Sequence, residues 1–136
     1  MLKLAESHDR LRVVSDQIGT PTYTYDLARL LVDINLTEKY GYYHATNEGG
    51  FISWYDFAKE IFAEAEKLKV PAVTGSGAEV DYGRVEVTPV TTAEYGLSKA
   101  KRPFNSRLDR SKLARCGFTL LPDWRDALER YLKELC

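Results

Sequence analysis

The chain has little that could build a disulfide framework, a metal cluster or a membrane span. Its 136 residues hold two cysteines, Cys116 and the terminal Cys136, too few for either a disulfide scaffold or a cysteine metal site. Of the two histidines, His44 in Tyr-Tyr-His-Ala-Thr has no second His, Cys or acid at ligand spacing, which favours a structural role. No apolar run approaches the roughly 20 residues of a spanning helix, and the opening MLKLAESHDR lacks the apolar centre of a signal peptide. Charge of one sign is also missing: 19 Lys and Arg against 20 Asp and Glu leave a net charge of -1. That balance removes the electrostatic reason to expect nucleic acid or an anionic membrane as partner. Repeats and low-complexity tracts are absent. The default is a reduced, cytoplasmic protein of one domain, 1–136, with 44% hydrophobic residues to build a core.

What is present is an alternation of strand-like and helix-like segments, the pattern of an α/β fold. Residues 1–8 read as the tail of a helix, and Leu11–Val14 as a short strand. Over Tyr25–Leu36, the residues Leu27, Leu30, Leu31 and Ile34 recur at the spacing of one buried helical stripe. Gly41–Ala45 is a strand candidate. Ser53 and Asp56 form a capping-box pair opening a helix in which Trp54, Phe57, Ala58, Ile61, Phe62, Ala65 and Leu68 share one face. Pro71 ends it. Val85–Val90 reads as extended, with Pro89 placing it at a sheet edge, and helices are expected over Ser106–Cys116 and Pro122–Leu135. In the last, Trp124, Leu128, Tyr131, Leu132 and Leu135 make the inner stripe. Both tryptophans thus read as packing residues.

Two short stretches carry chemistry. In Val13–Ala28 (VVSDQIGTPTYTYDLA) a strand passes through a turn into a helix. Thr20 precedes Pro21 and is held extended, Gly19 permits a turn that a side chain would block, and Thr22 or Thr24 can cap the helix. The junction is either a capped strand-to-helix turn or, through the unpaired N–H groups of a helix start, a place for phosphate. In Lys101–Asp109 (KRPFNSRLD), Arg102 can fork onto a phosphate, and Asn105 and Ser106 can serve as hydrogen-bonding partners or caps. Alternatively Ser106 merely caps a helix in an S-x-x-D box with Asp109.

These stretches occur in order with GYYHATNEGGFISWYDFAKEIF, VTPVTTAEY and LPDWRDALERYL. Together they closely resemble the C-terminal half of the dTDP-4-dehydrorhamnose reductase family, extended short-chain dehydrogenase/reductases of rhamnose synthesis. The resemblance covers essentially the whole chain, so that the chain is expected to begin in the middle of the family's protein. It implies the substrate-binding portion of such an enzyme, with short strands and several helices and without the Rossmann half. It further implies a dTDP-sugar nucleotide as ligand, held by Arg102, Asn105, Ser106, Asp16, Gln17 and Thr22. The missing N-terminal Rossmann half would be a partner, a homodimer is a further possibility, and NADPH or NADH would serve the full-length enzyme. The fragment would not be active alone. The alternative is a non-catalytic sugar-nucleotide-binding or interaction subunit related to the reductase.

No cofactor site or catalytic residue is expected in this chain. Its glycine-rich candidate, Gly75-Ser-Gly77-Ala-Glu-Val80, has Val80 at the third glycine position and follows a helix rather than a strand. Tyr95…Lys99 and Tyr55…Lys59 both match the Tyr-x-x-x-Lys spacing, which makes the pattern cheap, and neither has the setting that would lower a tyrosine pKa. The resemblance places Glu134 where some family members hold magnesium, but Tyr25, with Asp26 beside it, stands where the first motif would need an acid. Magnesium is therefore possible for the family but not supported by this sequence, and is not carried over.

Overall fold

The structure, a computed structural model, describes residues 1–75, 79–96 and 100–136. Along the chain run α1 (Leu2–Ala5), β1 (Arg10–Val14), β2 (Ile18–Gly19), α2 (Thr24–Asn35), β3 (Asn47–Glu48), β4 (Ile52–Ser53), α3 (Trp54–Leu68), β5 (Glu86–Val90), α4 (Thr92–Tyr95), α5 (Ser111–Arg115), β6 (Leu121–Asp123) and α6 (Trp124–Lys133). The expected α/β class is what the chain adopts: six helices around three two-stranded sheets, among the described residues.

Strands β1 and β5 are parallel, Arg10 opposite Glu86 and Val14 opposite Val90. Glu86 N–H to Asp9 C=O and Ser15 N–H to Val90 C=O close the two ends of the ladder. Alternate residues of a strand face its partner, so Leu11 and Val13 turn their backbone groups to β5, while Arg10, Arg12 and Val14 turn theirs away. On β5 the outward-facing pair is Val87 and Pro89, which puts the residue lacking an N–H at the edge, as its sequence predicts. Helix α3 packs across this sheet, and Phe62, Ala65, Val70 and Tyr82 make the main core with Leu2, Ala5 and Leu132. Phe62 and Tyr82 stack at 6.3 Å between ring centroids. A second core gathers Leu30, Leu113 and Leu121 under α2 and α5.

Several expectations are corrected. Gly41–Ala45 is not a strand: Lys112 Nζ donates to Tyr42 C=O and the Tyr43 ring meets Phe118 edge-on, so side chains fix the segment and pairing starts at Asn47. His44 on this segment is exposed. The helix expected from Ser106 starts only at Ser111, whose N–H and hydroxyl both bond the Asp109 carboxylate; Ser106 spends its N–H on Ile18 C=O instead. The last helix begins at Trp124, because Leu121–Asp123 pairs with β3 and Asp123 caps the helix by accepting from Arg125 N–H. Neither Thr22 nor Thr24 caps α2; Tyr23 holds the cap position and gives its N–H to the Asn47 side chain. At Ser53 the side chain accepts Asp56 N–H at 3.0 Å, but Asp56 takes the Ser53 hydroxyl rather than its N–H. Helix α3 stops at Leu68 with Lys69 left-handed (φ 53°), two residues before Pro71. Leu31, Trp54 and Tyr131 lie exposed rather than on inner stripes.

Candidate functional site

Ile18 joins the two stretches singled out in the sequence. It pairs with Ser53 in the antiparallel β2–β4 ladder. On its other side, its N–H donates to Phe104 C=O at 2.9 Å and its C=O accepts Ser106 N–H at 2.8 Å. The Asp16–Thr22 turn and the Lys101–Asp109 loop are thereby locked side by side. A Cβ on Gly19 would stand 3.5 Å from the Ser106 Cβ, an ordinary contact, and Gly19 has no positive φ. Its expected role in permitting the turn is therefore not the one it has. Glycine leaves room here at the floor of a cleft.

That cleft has a volume of about 230 Å³ and is walled by Gln17–Pro21, by Ile52 and Ser53 of β4, by Trp54 and Phe57 at the start of α3, and by Arg102, Pro103, Ser106 and Leu108. Of the expected ligand-binding residues, Gln17, Arg102 and Ser106 line it. Gln17 is buried and its Nε2 donates to Thr92 Oγ1 at 3.0 Å. Arg102 is exposed. Asn105 stands beside the cleft with its side-chain oxygen occupied by the Arg107 N–H and guanidinium. Asp16 points its carboxylate at Thr92, taking the N–H at 2.9 Å and the hydroxyl at 2.6 Å, and these bonds hold its pKa below the usual range. Thr22 lines a second hollow of about 220 Å³, which shares Pro21 and Phe57 with the first and is floored by Trp124 and Ala127.

Behind the cleft lies a buried polar knot that the sequence does not announce. Asn47 is fully buried, accepts Tyr23 N–H at 2.8 Å, and donates to Asp26 Oδ2 at 2.8 Å and to Pro122 C=O at 3.0 Å. Asp26 also receives Arg130 at 2.7 Å. Burial pushes the Asp26 carboxyl up, but the Arg130 and Asn47 hydrogen bonds outweigh it and hold its pKa below the ordinary value; Arg130 is raised in turn. Arg110 adds a second brace, donating to Thr46 Oγ1 at 3.0 Å and Asn47 C=O at 2.7 Å while its Nε faces Glu48 at 2.9 Å. Tyr23 gives its hydroxyl to Glu134, which pushes the phenol up to about 12. Among the described residues, no group of three His, Cys, Asp or Glu gathers as a metal site.

The cleft-lining residues missed in the sequence are Thr46, Ile52, Ser53, Trp54, Phe57 and Leu108. Tyr55 and Lys59 sit with the ammonium 5.2 Å over the ring, a packing contact on the flank of α3. Lys99 and Gly77, needed for the other Tyr-x-x-x-Lys match and for the glycine-rich candidate, lie outside the described residues.

The model of the RmlD substrate binding domain matches residues 1–136. Among curated relatives, the spore coat polysaccharide biosynthesis protein SpsK of Bacillus subtilis is 42% identical over 98% of this chain and 40% of its own length. A dTDP-4-dehydrorhamnose reductase of Aggregatibacter actinomycetemcomitans is 43% identical over 95% of this chain and 42% of its own. Among solved structures, a dTDP-4-dehydrorhamnose reductase of Bacillus anthracis in complex with NADP superposes with a TM-score of 0.80 at 34% identity, covering 99% of this chain and 41% of that one. The ortholog from Clostridium acetobutylicum gives 0.79 at 39% identity. This chain therefore spans about two-fifths of the length of the relatives it matches.

Proposed function

The chain belongs to the RmlD substrate binding domain family, and from that premise we propose that residues 1–136 act as the substrate-binding domain of an NAD(P)H-dependent dTDP-4-dehydro-L-rhamnose reductase. The overall reaction reduces the 4-keto group of the sugar nucleotide to the alcohol of dTDP-L-rhamnose. The observation that carries the reading is the cleft in which Ile18 holds the Gln17–Pro21 turn against the loop bearing Arg102 and Ser106. An exposed guanidinium over a largely apolar hollow suits a ligand with an anionic diphosphate and a ring at one end. Binding and orientation are this domain's share of the work, since a keto carbon reacts only when held in line with its hydride donor.

NADPH or NADH supplies that hydride when bound. A dinucleotide site needs a strand, a glycine-rich turn and a helix in immediate succession. The segment nearest to this in order, from β1 to α2, carries one glycine, Gly19, followed by Pro21. These residues do not fit the cofactor, so no step is assigned to them. The remaining part of the reductase is the natural partner, and β1 offers it a place. A two-stranded parallel sheet is rarely free-standing; Pro89 stands at the β5 edge, and among the described residues no strand pairs with the outward edge of β1 at Arg10, Arg12 and Val14.

The test is a titration of the isotope-labelled chain with dTDP-L-rhamnose, followed by amide shifts. Saturable shifts confined to Gln17–Thr20, Thr46, Ile52–Phe57 and Arg102–Leu108 are expected. Absence of saturable shifts at millimolar ligand, or shifts centred elsewhere, would overturn the reading.

A further inference from the structure

Thr92 lies outside the cleft, at the start of α4, yet it holds a residue that lines it. Its N–H donates to the Asp16 carboxylate at 2.9 Å and its hydroxyl to Asp16 Oδ1 at 2.6 Å, while Gln17 Nε2 stands 3.0 Å from the same hydroxyl oxygen. Counting protons sets the direction of these bonds. Asp16 is kept ionised by the Thr92 hydroxyl and N–H, and a carboxylate only accepts. A hydroxyl carries one proton, and that of Thr92 goes to Asp16. Toward Gln17 it can therefore only accept, so the amide turns its NH2 group to Thr92 and its carbonyl oxygen the other way. Gln17 is 8% exposed and lines the cleft, and among the described residues no donor meets its Oε1. An amide oxygen so nearly buried calls for a donor from whatever fills the hollow.

The support of this relay is firm. Gln17 is followed by Ile18, which is paired on both sides. Helix α4 opens on a capping box between Thr91 and Glu94, and Arg12 ties it to β1 by donating to Glu94 C=O at 2.9 Å. Resting on the reading of the cleft as a dTDP-sugar site, we propose that Asp16 and Thr92 are positioning residues that turn the Gln17 carbonyl oxygen into the cleft, so that the turn selects a ligand group that donates, a hydroxyl or an N–H. Neither residue need touch the ligand: Asp16 acts through Thr92, and Thr92 through Gln17. A nearly isosteric change should therefore reverse the polarity of an unaltered Gln17. In Asp16→Asn the new side chain keeps its oxygen on the Thr92 N–H and donates from its nitrogen to the hydroxyl oxygen. The hydroxyl proton is then released to Gln17, whose amide turns over and points its NH2 group into the cleft.

The experiment is a calorimetric titration with dTDP-L-rhamnose and with dTDP, alongside spectra of the Gln17 side-chain amide, on the isotope-labelled chain and on Asp16→Asn, Thr92→Val and Thr92→Ser. In the wild type one Gln17 side-chain proton should exchange slowly with water, being bonded to Thr92. That protection should vanish in Asp16→Asn and Thr92→Val and persist in Thr92→Ser. The dTDP-L-rhamnose Kd should weaken about tenfold in Asp16→Asn, where two donors face each other, about threefold in Thr92→Val, where the amide is merely freed, and by less than about twofold in Thr92→Ser. Removing a negative charge beside an anionic ligand would by itself tighten binding, so a weaker Kd in Asp16→Asn is the signature of the turned amide. A loss confined to dTDP-L-rhamnose puts the donating group on the sugar, and a loss shared by dTDP puts it on the nucleotide; both support the relay. Wild-type affinity and an unchanged Gln17 amide in Asp16→Asn would overturn the relay and leave the cleft reading standing. Equal losses in all three variants, Thr92→Ser included, with lowered melting temperatures, would show a merely structural contact and also overturn it. Failure of the wild type to bind dTDP-L-rhamnose would overturn the cleft reading and the relay together.

Discussion

Replacing Asn47 by alanine should be among the most damaging single changes in the chain, although no ligand need touch it. The side chain is fully buried, and its hydrogen bonds tie the start of α2 (Tyr23 N–H), the middle of β6 (Pro122 C=O) and the Asp26 carboxylate to β3. Alanine leaves the Tyr23 donor without its acceptor, at about 1–3 kcal/mol, and removes one hydrogen bond to a charged group, about 1.5–3 kcal/mol in its own right. Asp26 keeps Arg130 at 2.7 Å, so the second figure belongs at its low end. The two losses share one site and do not simply add. About 3 kcal/mol is expected, which for a domain of this size lowers the melting temperature by about 10 °C.

Urea unfolding followed by far-ultraviolet circular dichroism measures this directly, with a lower midpoint at an unchanged slope. Asn47→Asp is the informative companion. It keeps an oxygen for the Tyr23 N–H but sets a second carboxylate against Asp26, so it should be at least as unstable as alanine at neutral pH and recover as acid protonates one of the pair. A loss below about 1 kcal/mol for Asn47→Ala, or no pH-dependent recovery for Asn47→Asp, would refute the reasoning that the knot is a tightly satisfied unit.

Arg102→Ala should weaken dTDP-sugar binding about 10- to 100-fold, because a charge-assisted contact to phosphate is worth about 1.5–3 kcal/mol, with the melting temperature nearly unchanged; Arg102→Lys should recover only part, lacking the bidentate fork. Calorimetry and a thermal scan separate this from a structural role, which would reverse the two results. Asp26 has a depressed folded pKa, so its contribution is present above the ordinary carboxylate value of about 3.9 and is lost as pH falls through the lower folded value. Asp26→Asn should therefore flatten the acid limb of a stability-against-pH curve, and an acid limb identical to wild type would contradict it. Asp16→Ala should cost about 1–2 kcal/mol by stripping Thr92 of its acceptor at the start of α4, read by urea unfolding.

The sequence shows helix α3 plainly, because its stripe is long and Ser53 marks its start; Ala58, Phe62 and Ala65 are buried where that stripe puts them. Periodicity gives direction, however, and not depth. Trp54 is on the same stripe, but as the first residue of the helix it projects past the end of the core and into the cleft. Strands β1 and β5 were each legible, β5 with Pro89 at an edge, but their pairing was not, because it joins segments far apart in the chain. The start of α5 was not, because two serines compete for it: Ser106 carries the S-x-x-D signal, yet its N–H is claimed by Ile18, and the Asp109–Ser111 bond sets the start. Asn47 gave no signal at all. A buried amide is recognisable only by its partners, and Tyr23, Asp26 and Pro122 stand on three other elements.

The same limit governs the site. The turn and the loop could each be recognised as a candidate in isolation, and each had a bland explanation as a capped helix start. The structure shows where the caps go. Thr22 and Thr24 do not cap α2 and Ser106 does not cap α5; Tyr23, at the cap position of α2, gives its N–H to Asn47, and Ser111, the first residue of α5, gives its N–H to Asp109. The backbone of Ser106 is committed to Ile18, while its side chain borders the cleft. Because Ile18 spends both its N–H and its C=O on this loop and is paired to Ser53 on its other flank, the turn, the loop and the start of α3 cannot shift independently. Arg102 and Trp54 reach the cleft from two of these three segments. A change at Ile18 that disturbs this pairing should therefore loosen the turn, the loop and the start of α3 together.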